Sequence, residues 1–265
     1  MKFIVCVKQI PDPETPASAF KIDPSGKKVV PAQGIAPVVS PFDAQAVEAA
    51  LRIRDAQGEG HITVISMGPA SARDVIKHAL AMGADEGILI DDPALQDVFD
   101  PYVTVTVLAA AIRKVGAFDA VFTGRQAADW DWGVTGPALA EVLGLTQATF
   151  AKSVVARDGT LVVERVLSDG FETVEIPTPA LVTVSNELGD PRYPQLRQIM
   201  LAARKQITTY TLTDLGLTAD DIRPRMELER LYIPVKESKV EIIEGDSPEE
   251  KAATLARKLR EAKLI

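Results

Sequence analysis

The chain is poor in cysteine, in net positive charge, in long apolar runs and in aromatic rings, and each shortage excludes a class of function. Its single cysteine, Cys6, stands inside an apolar run. No internal disulfide can form, and a reducing, cytoplasmic setting is expected. A buried structural thiol is the better reading of Cys6 than a nucleophile. Lysine and arginine number 29 against 37 acidic residues, a formal net charge of −8. Phosphate contacts along a polyanion need a concentrated excess of bases, so nucleic acid is not expected as a partner. No stretch approaches the ~20 apolar residues of a membrane helix, and the run in "MKFIVCVKQIPDPE" is too short for a secretory leader, so no membrane insertion is expected. His61 and His78 have no cysteine or histidine neighbours at ligand spacing and read as structural or surface residues. The sequence also lacks G-x-x-x-x-G-K-[ST], G-x-G-x-x-G and G-x-S-x-G. A P-loop NTPase, a standard dinucleotide fold and a hydrolase triad are therefore disfavoured.

What is present is ordinary for a folded protein: 46% hydrophobic and 25% charged residues in a chain of 265, enough for one domain with an appendage. Over the first 150 residues, short β-branched runs at 2–8, 61–67, 87–90 and 119–124 alternate with helical patterns at 41–56, 71–84 and 102–115, and a fourth helix is expected near Thr135. That alternation marks βαβ units around a parallel sheet. From 147 to 185 the pattern changes to strands joined by tight turns, with Asp158-Gly159 as a hairpin signal. The fold class is thus α/β: a doubly wound, mostly parallel sheet with added antiparallel strands and a C-terminal arm ending in a helix. Residues 1–206 read as the α/β domain and 207–265 as an arm and terminal helix, with Ser247 as N-cap and Pro248 at the first helical position. A helix after a long arm suits docking on another subunit.

Ligands of open α/β sheets bind beyond the carboxyl ends of the strands, where the strand order reverses. In the common order this brings the end of the first strand, Cys6 to Gln9, towards the end of the fourth, Thr123 to Gln126. The loop "TGRQAADWDWGVTGP" (123–137) starts there and holds both tryptophans of the chain. Its glycines permit close backbone approach, and Thr135-Gly136-Pro137 reads as a helix start whose free N–H groups can hold a phosphate. The alternative is that these glycines only turn the chain. Asp129 and Asp131 could hold a metal or act as an acid/base pair, although such residues more often cap or brace a loop. Trp130 and Trp132 could stack on a ring or simply pack the loop. No catalytic constellation emerges, which suits a protein whose cofactor performs the chemistry.

The stretches "VCVKQIPDPE", "ALAMGADEGILI", "TGRQAADWDWGVTGP", "VERVLSDGFETVEIPTPALVTV" and "DPRYPQLRQIM" resemble, in order and across nearly the whole chain, the beta subunit of electron transfer flavoprotein. The resemblance implies an electron carrier subunit, not an enzyme, paired with an alpha subunit that holds most of a redox-active FAD. This subunit would bind AMP or, in electron-bifurcating members, a second FAD. Carried over by position, the nucleotide contacts are Cys6, Ser40, Pro41, Phe42, Asp43 and Met67. The loop adds Gly124, Arg125, Gln126, Ala127, Asp129, Trp130, Asp131, Trp132, Gly133, Val134 and Thr135. "DPRYPQLRQIM" resembles a recognition loop, which implies that Leu196, with Tyr193 and Ile199, docks on a flavin dehydrogenase such as an acyl-CoA dehydrogenase; without the family, Leu196 and Ile199 read as core. Electrons would pass on to a quinone oxidoreductase. Two departures stand out: Ser40-Pro41 where many members have Asn-Pro, and two tryptophans where members commonly have small or polar residues. Arg125, Pro137 and the tail, by contrast, are similar to the bifurcating and nitrogen-fixation-associated branch. A reading from another class is a stand-alone adenine-nucleotide-binding module, which would form a homodimer.

Overall fold

The computed structural model describes residues 1–96, 98–234 and 240–265. The chain opens with β1 (Lys2–Cys6) and an excursion carrying four two-residue strands, β2 (Gln9–Ile10), β3 (Lys21–Ile22), β4 (Val29–Val30) and β5 (Val38–Val39). It continues through α1 (Pro41–Gln57), β6 (His61–Met67), α2 (Arg73–Met82), β7 (Glu86–Ile90), α3 (Pro101–Val115), β8 (Ala120–Gly124) and α4 (Thr135–Leu143). Next come β9 (Thr146–Arg157), β10 (Thr160–Val166), β11 (Phe171–Pro177) and β12 (Ala180–Val184). The last elements are α5 (Leu196–Arg204), β13 (Ile207–Tyr210) and α6 (Pro248–Glu261).

Nine strands form one sheet in the order β11-β10-β9-β12-β8-β1-β6-β7-β13. All neighbours from β9 to β13 run parallel, while β10 is antiparallel to both β9 and β11. The chain steps outward from β1 through β6 to β7 and then returns to place β8 on the other side of β1. The order therefore reverses between β1 and β8. Both faces of the parallel part are covered, which is why its strands are continuous apolar runs. Phe3, Val5, Val64 and Phe122 pack with Val47, Leu51 and Ile76 of α1 and α2, whereas Ile4, Ile65, Val121 and Leu181 pack with Leu108 and Ile112 of α3 and Leu139 of α4. Successive side chains along β1 thus alternate between two cores, as the two-residue period of a strand requires. Ala46, Ala49, Ala50 and Ile53 form the buried face of α1.

The β9–β10 turn contains Asp158 at φ 48° and Gly159 at φ 79°, the left-handed pair that a two-residue hairpin needs. The segment read from sequence as the start of an arm begins instead with β13, which pairs in parallel with β7 from Ile207↔Gly87 to Tyr210↔Ile90. Four residues with no periodicity give no strand signal on their own; the open edge of β7 supplies the partner. The chain divides into compact units at Met1–Leu231 and Tyr232–Ile265. In the second unit, the Ser247 hydroxyl accepts the N–H of Glu250 at 3.2 Å, Pro248 opens α6, and acidic residues precede basic ones along the helix. The "VKESK" part of the expected arm (235–239) lies outside the described residues. Among those described, no helix is long and apolar enough to cross a membrane.

Candidate functional site

A cleft of about 300 Å³ opens at the carboxyl ends of β1, β6 and β8. Cys6, Asp43 and Met67 line it, as do Gly124 to Ala127, Trp130 and the run from Trp132 to Thr135. These residues come from four separate places in the sequence and meet because β1 and β8 are neighbours at the reversal of strand order. Lys8, Gly68, Thr123 and Gly136 also face the cleft, as neighbours of positions already named. Sequence reasoning did not single out the far wall, built by Leu95, Val98, Phe99, Pro101, Thr104 and Leu108 from the start of α3 and the segment before it. Asp100-Pro101 is a legible helix start, but only the packing of α3 against the sheet puts it beside the cleft.

Asp43 ties the two strand ends together. One carboxylate oxygen accepts the backbone N–H of Lys8 at 2.8 Å and the other accepts that of Gly124 at 3.0 Å. Burial pushes its pKa up to about 7, against the lowering effect of those two N–H donors and the Lys8 ammonium. Lys8 reaches across the cleft floor to Asp129, donating at 2.7 Å and 2.9 Å to its two oxygens. Gly124 cannot carry a side chain here: a Cβ would stand 2.6 Å from Asp43 Oδ1 and 2.7 Å from Phe42 Cβ. Burial, and secondarily the Asp43 charge, pushes the Cys6 thiol up to about 12. A thiolate nucleophile at this position is therefore disfavoured.

The loop after β8 is braced by its own polar groups. Gln126 donates to Asp131 at 2.7 Å, and the N–H groups of Trp130 and Asp131 return to the Ala127 carbonyl at 3.3 Å and 2.9 Å. Asp131 at φ 53° and Gly133 at φ 65° turn the chain so that both indoles come to one side. There Phe99 contacts Trp130 and Trp132 edge-to-face, each with ring centroids 4.8 Å apart. The tryptophans are therefore paired with an aromatic residue from before α3, and all three rings line the cleft. The loop ends at α4, which has no side-chain N-cap. Thr135 and Gly136, its first two residues, face the cleft with N–H groups that have no carbonyl one turn back. A Cβ on Gly136 would meet Thr183 Cγ2 at 2.5 Å and Thr123 Oγ1 at 2.7 Å, so this helix start is pressed onto β8 and β12.

Ser40, Pro41, Phe42, Asp129 and Asp131 lie beside the cleft instead of on its wall. Ser40 is fully buried as the N-cap residue of α1, with its hydroxyl lacking a hydrogen-bond partner among the described residues. Pro41 starts that helix, and the Phe42 ring lies 5.0 Å beneath the Arg125 guanidinium. Arg125 also donates to the Ser185 hydroxyl at 3.2 Å, while its Nε has no partner among the described residues. Asp129 and Asp131 are occupied by Lys8 and Gln126. No cluster of three or more His, Cys, Asp or Glu that could hold a metal occurs among the described residues. Tyr193, Leu196 and Ile199 sit away from the cleft and are 89%, 74% and 45% exposed, contrary to the core reading that residue type alone favours for Leu196 and Ile199.

Sheet order, cleft position and the helix start that faces it define a doubly wound α/β protein with a cleft at its switch point, the place where folds of this class bind ligands. A profile of the electron transfer flavoprotein domain matches residues 28–215. The chain is 38% identical to the electron transfer flavoprotein subunit beta of Thermoanaerobacterium thermosaccharolyticum over 94% of this chain and 88% of that protein. It is 37% identical to the subunit of the same name from Clostridium acetobutylicum, over the full length of both. The Caffeyl-CoA reductase-Etf complex subunit CarD of Acetobacterium woodii is 35% identical, again over both full lengths. The chain belongs to the electron transfer flavoprotein beta-subunit family. The first two relatives are named as subunits of electron transfer flavoproteins, which are electron carriers rather than enzymes.

Proposed function

We propose that the cleft between β1 and β8 holds an adenine nucleotide, either AMP or the adenylate half of a second FAD. The observation that carries this reading is the uncapped start of α4, whose first two residues face the cleft: free N–H groups at a helix N-terminus are an anion site. Gly124 and Gly136, which have no room for a Cβ, keep the backbone close on both sides of that position. Phe99, Trp130 and Trp132 supply an aromatic wall for the base or close the cleft over it. A volume of about 300 Å³ lies at the low end of the ~300–1,000 Å³ usual for small-molecule sites, which suits a mononucleotide better than a whole dinucleotide.

In this reading the chain works as one half of a heterodimer. The alpha subunit holds the FAD that accepts and releases electrons; the residues of this chain bind, orient and dock. Tyr193, Leu196 and Ile199 engage a flavin dehydrogenase such as an acyl-CoA dehydrogenase, and residues 232–265 anchor the chain on its partner subunit. The carrier passes electrons to a quinone-linked oxidoreductase in the cytoplasm. A bifurcating role is the second reading, favoured by the relative named for a caffeyl-CoA reductase complex. Acid extraction of the purified heterodimer decides between them: one FAD and one AMP per heterodimer supports the carrier, and two flavins support bifurcation. A heterodimer with no adenine nucleotide beyond its single FAD would refute the assignment of this cleft.

A further inference from the structure

Four polar side chains along one side of α1 converge on the segment leading into α5. Gln45, Glu48, Arg52 and Asp55 recur at three- and four-residue spacing and so share one helix face. Arg52 donates to the Leu188 carbonyl at 2.9 Å and to the Asp190 carbonyl at 3.3 Å. Gln45 donates to the carbonyls of Asn186 and Gly189, both at 3.4 Å. Glu48 accepts the backbone N–H of Arg192 at 3.1 Å and its Nε at 2.7 Å, and Asp55 accepts Arg192 Nη1 at 2.8 Å. The Glu48 side chain is only 6% exposed. Burial opposes its ionisation, but hydrogen bonds from Arg192 and Arg52 outweigh burial and hold the carboxyl below its usual range. A buried carboxylate satisfied in this way is strongly disfavoured from losing either partner.

The segment held by this clamp has little local reason to keep its shape. Tyr193 is exposed, Pro194 buried, and Gln195 and Leu196 exposed. Gln195, the N-cap residue of α5, makes no capping hydrogen bond, and the first helical bond there is Ile199 N–H to the Gln195 carbonyl at 3.0 Å. Within α5 only Ala202 is buried, leaving Leu196, Ile199, Met200 and Leu201 in solvent. Buried Pro194 seats the chain just before the helix, but within the first turn itself there is neither a cap nor a buried apolar side chain. The charged contacts at Arg192 hold the lead-in on the other side of Pro194.

We propose that Glu48 and Arg192 are positioning residues for partner docking: their ion pair fixes the lead-in to α5 so that Tyr193 and Leu196 meet a flavin dehydrogenase already in their bound arrangement. This rests on the reading of Tyr193 and Leu196 as docking residues. A segment ordered in advance does not have to be ordered on binding, so loss of the clamp weakens association and leaves electron transfer within the docked pair unchanged.

The test uses the intact heterodimer, reduced by an acyl-CoA dehydrogenase with its acyl-CoA substrate. E48Q, which keeps volume and removes charge, is expected to raise KM for the heterodimer about tenfold, with kcat and flavin content within about twofold. D55N, at the exposed end of the clamp, gives a smaller rise. Hydrogen exchange of amides 190–196 accelerates in E48Q while the strands of the sheet stay protected. L196A separates the two claims. If L196A leaves KM unchanged, or the dehydrogenase does not reduce the wild type, the docking reading fails, and exchange at 190–196 alone judges whether Glu48 fixes the segment. If L196A raises KM while E48Q and D55N change neither KM nor exchange, the positioning role is overturned and the docking reading stands. Parallel loss of kcat, flavin and KM in E48Q would mark a general structural defect and also overturn it.

Discussion

Asp43 on α1 accepts the backbone N–H of Gly124 at the end of β8 at 3.0 Å, across 81 residues of chain. Its other oxygen holds the end of β1 through Lys8, so a single carboxylate sets the width of the cleft floor. Both ends of the site depend on a group that burial makes reluctant to ionise.

This gives a pH dependence with a definite sign. The folded-state pKa of about 7 lies above the ordinary 3.8, so the fold binds the Asp43 proton more tightly than the unfolded chain does. The stabilisation is full below pH 3.8 and is lost as pH rises through about 7. At 1.36 kcal/mol per unit it amounts to about 4 kcal/mol. Melting of wild type and D43N heterodimers from pH 5 to 8 should show wild type losing ground to the variant as pH rises. A difference constant across that range would count against it. D43N also sets an amide N–H against one of the two backbone donors, so adenine nucleotide affinity falls.

Gly124→Ala places a methyl group 2.6 Å from Asp43 Oδ1 and 2.7 Å from Phe42 Cβ. Forcing α1 away from β8 is expected to cost roughly 1–3 kcal/mol. Thermal melting should fall and bound nucleotide should be depleted. A variant that melts like wild type with its nucleotide retained would show that the strand ends yield easily.

Both tryptophans line the cleft and touch Phe99. Adding AMP to nucleotide-stripped heterodimer should change tryptophan emission, and the change should largely vanish in the W130F/W132F double variant. An equal change in the double variant would place the responding rings elsewhere.

Cys6 should resist alkylation although it borders the cleft, because burial pushes its pKa up to about 12 and leaves almost no thiolate at neutral pH. Peptide mass spectrometry after N-ethylmaleimide treatment should find Cys6 unlabelled in the native heterodimer and labelled in denaturant. Rapid labelling of the native protein would contradict the buried-thiol assignment.

How legible the fold was depended on how locally each element is determined. The run "HITVISM" is the full extent of β6, and α1 begins at Pro41 as its pattern indicates, because two-residue and helical periods are written along those segments. Placing the end of β1 opposite that of β8 also followed from alternation alone, through the common order of such sheets. The rest was set by neighbours distant in sequence. "ITTY" becomes β13 only because β7 offers an open edge. Phe99 joins the tryptophans only once α3 is packed. Leu196 and Ile199 look like core residues by type, yet α5 turns only Ala202 inward.

The order of the sheet also bears on how the chain can be made. β12 lies between β8 and β9, although β9, β10 and β11 are synthesised before it. During N-to-C synthesis the β9–β11 meander can form by local pairing, but it has no parallel partner until Ala180–Val184 emerges. The opposite edge likewise waits for Ile207–Tyr210. Between the completion of β8 and the emergence of β12 the growing chain therefore carries two unsealed sheet edges, and contacts this distant in sequence form slowly. A ribosome stalled before residue 180 would display a half-built sheet with the exposed edge of β8, a surface on which chaperones and neighbouring nascent chains compete.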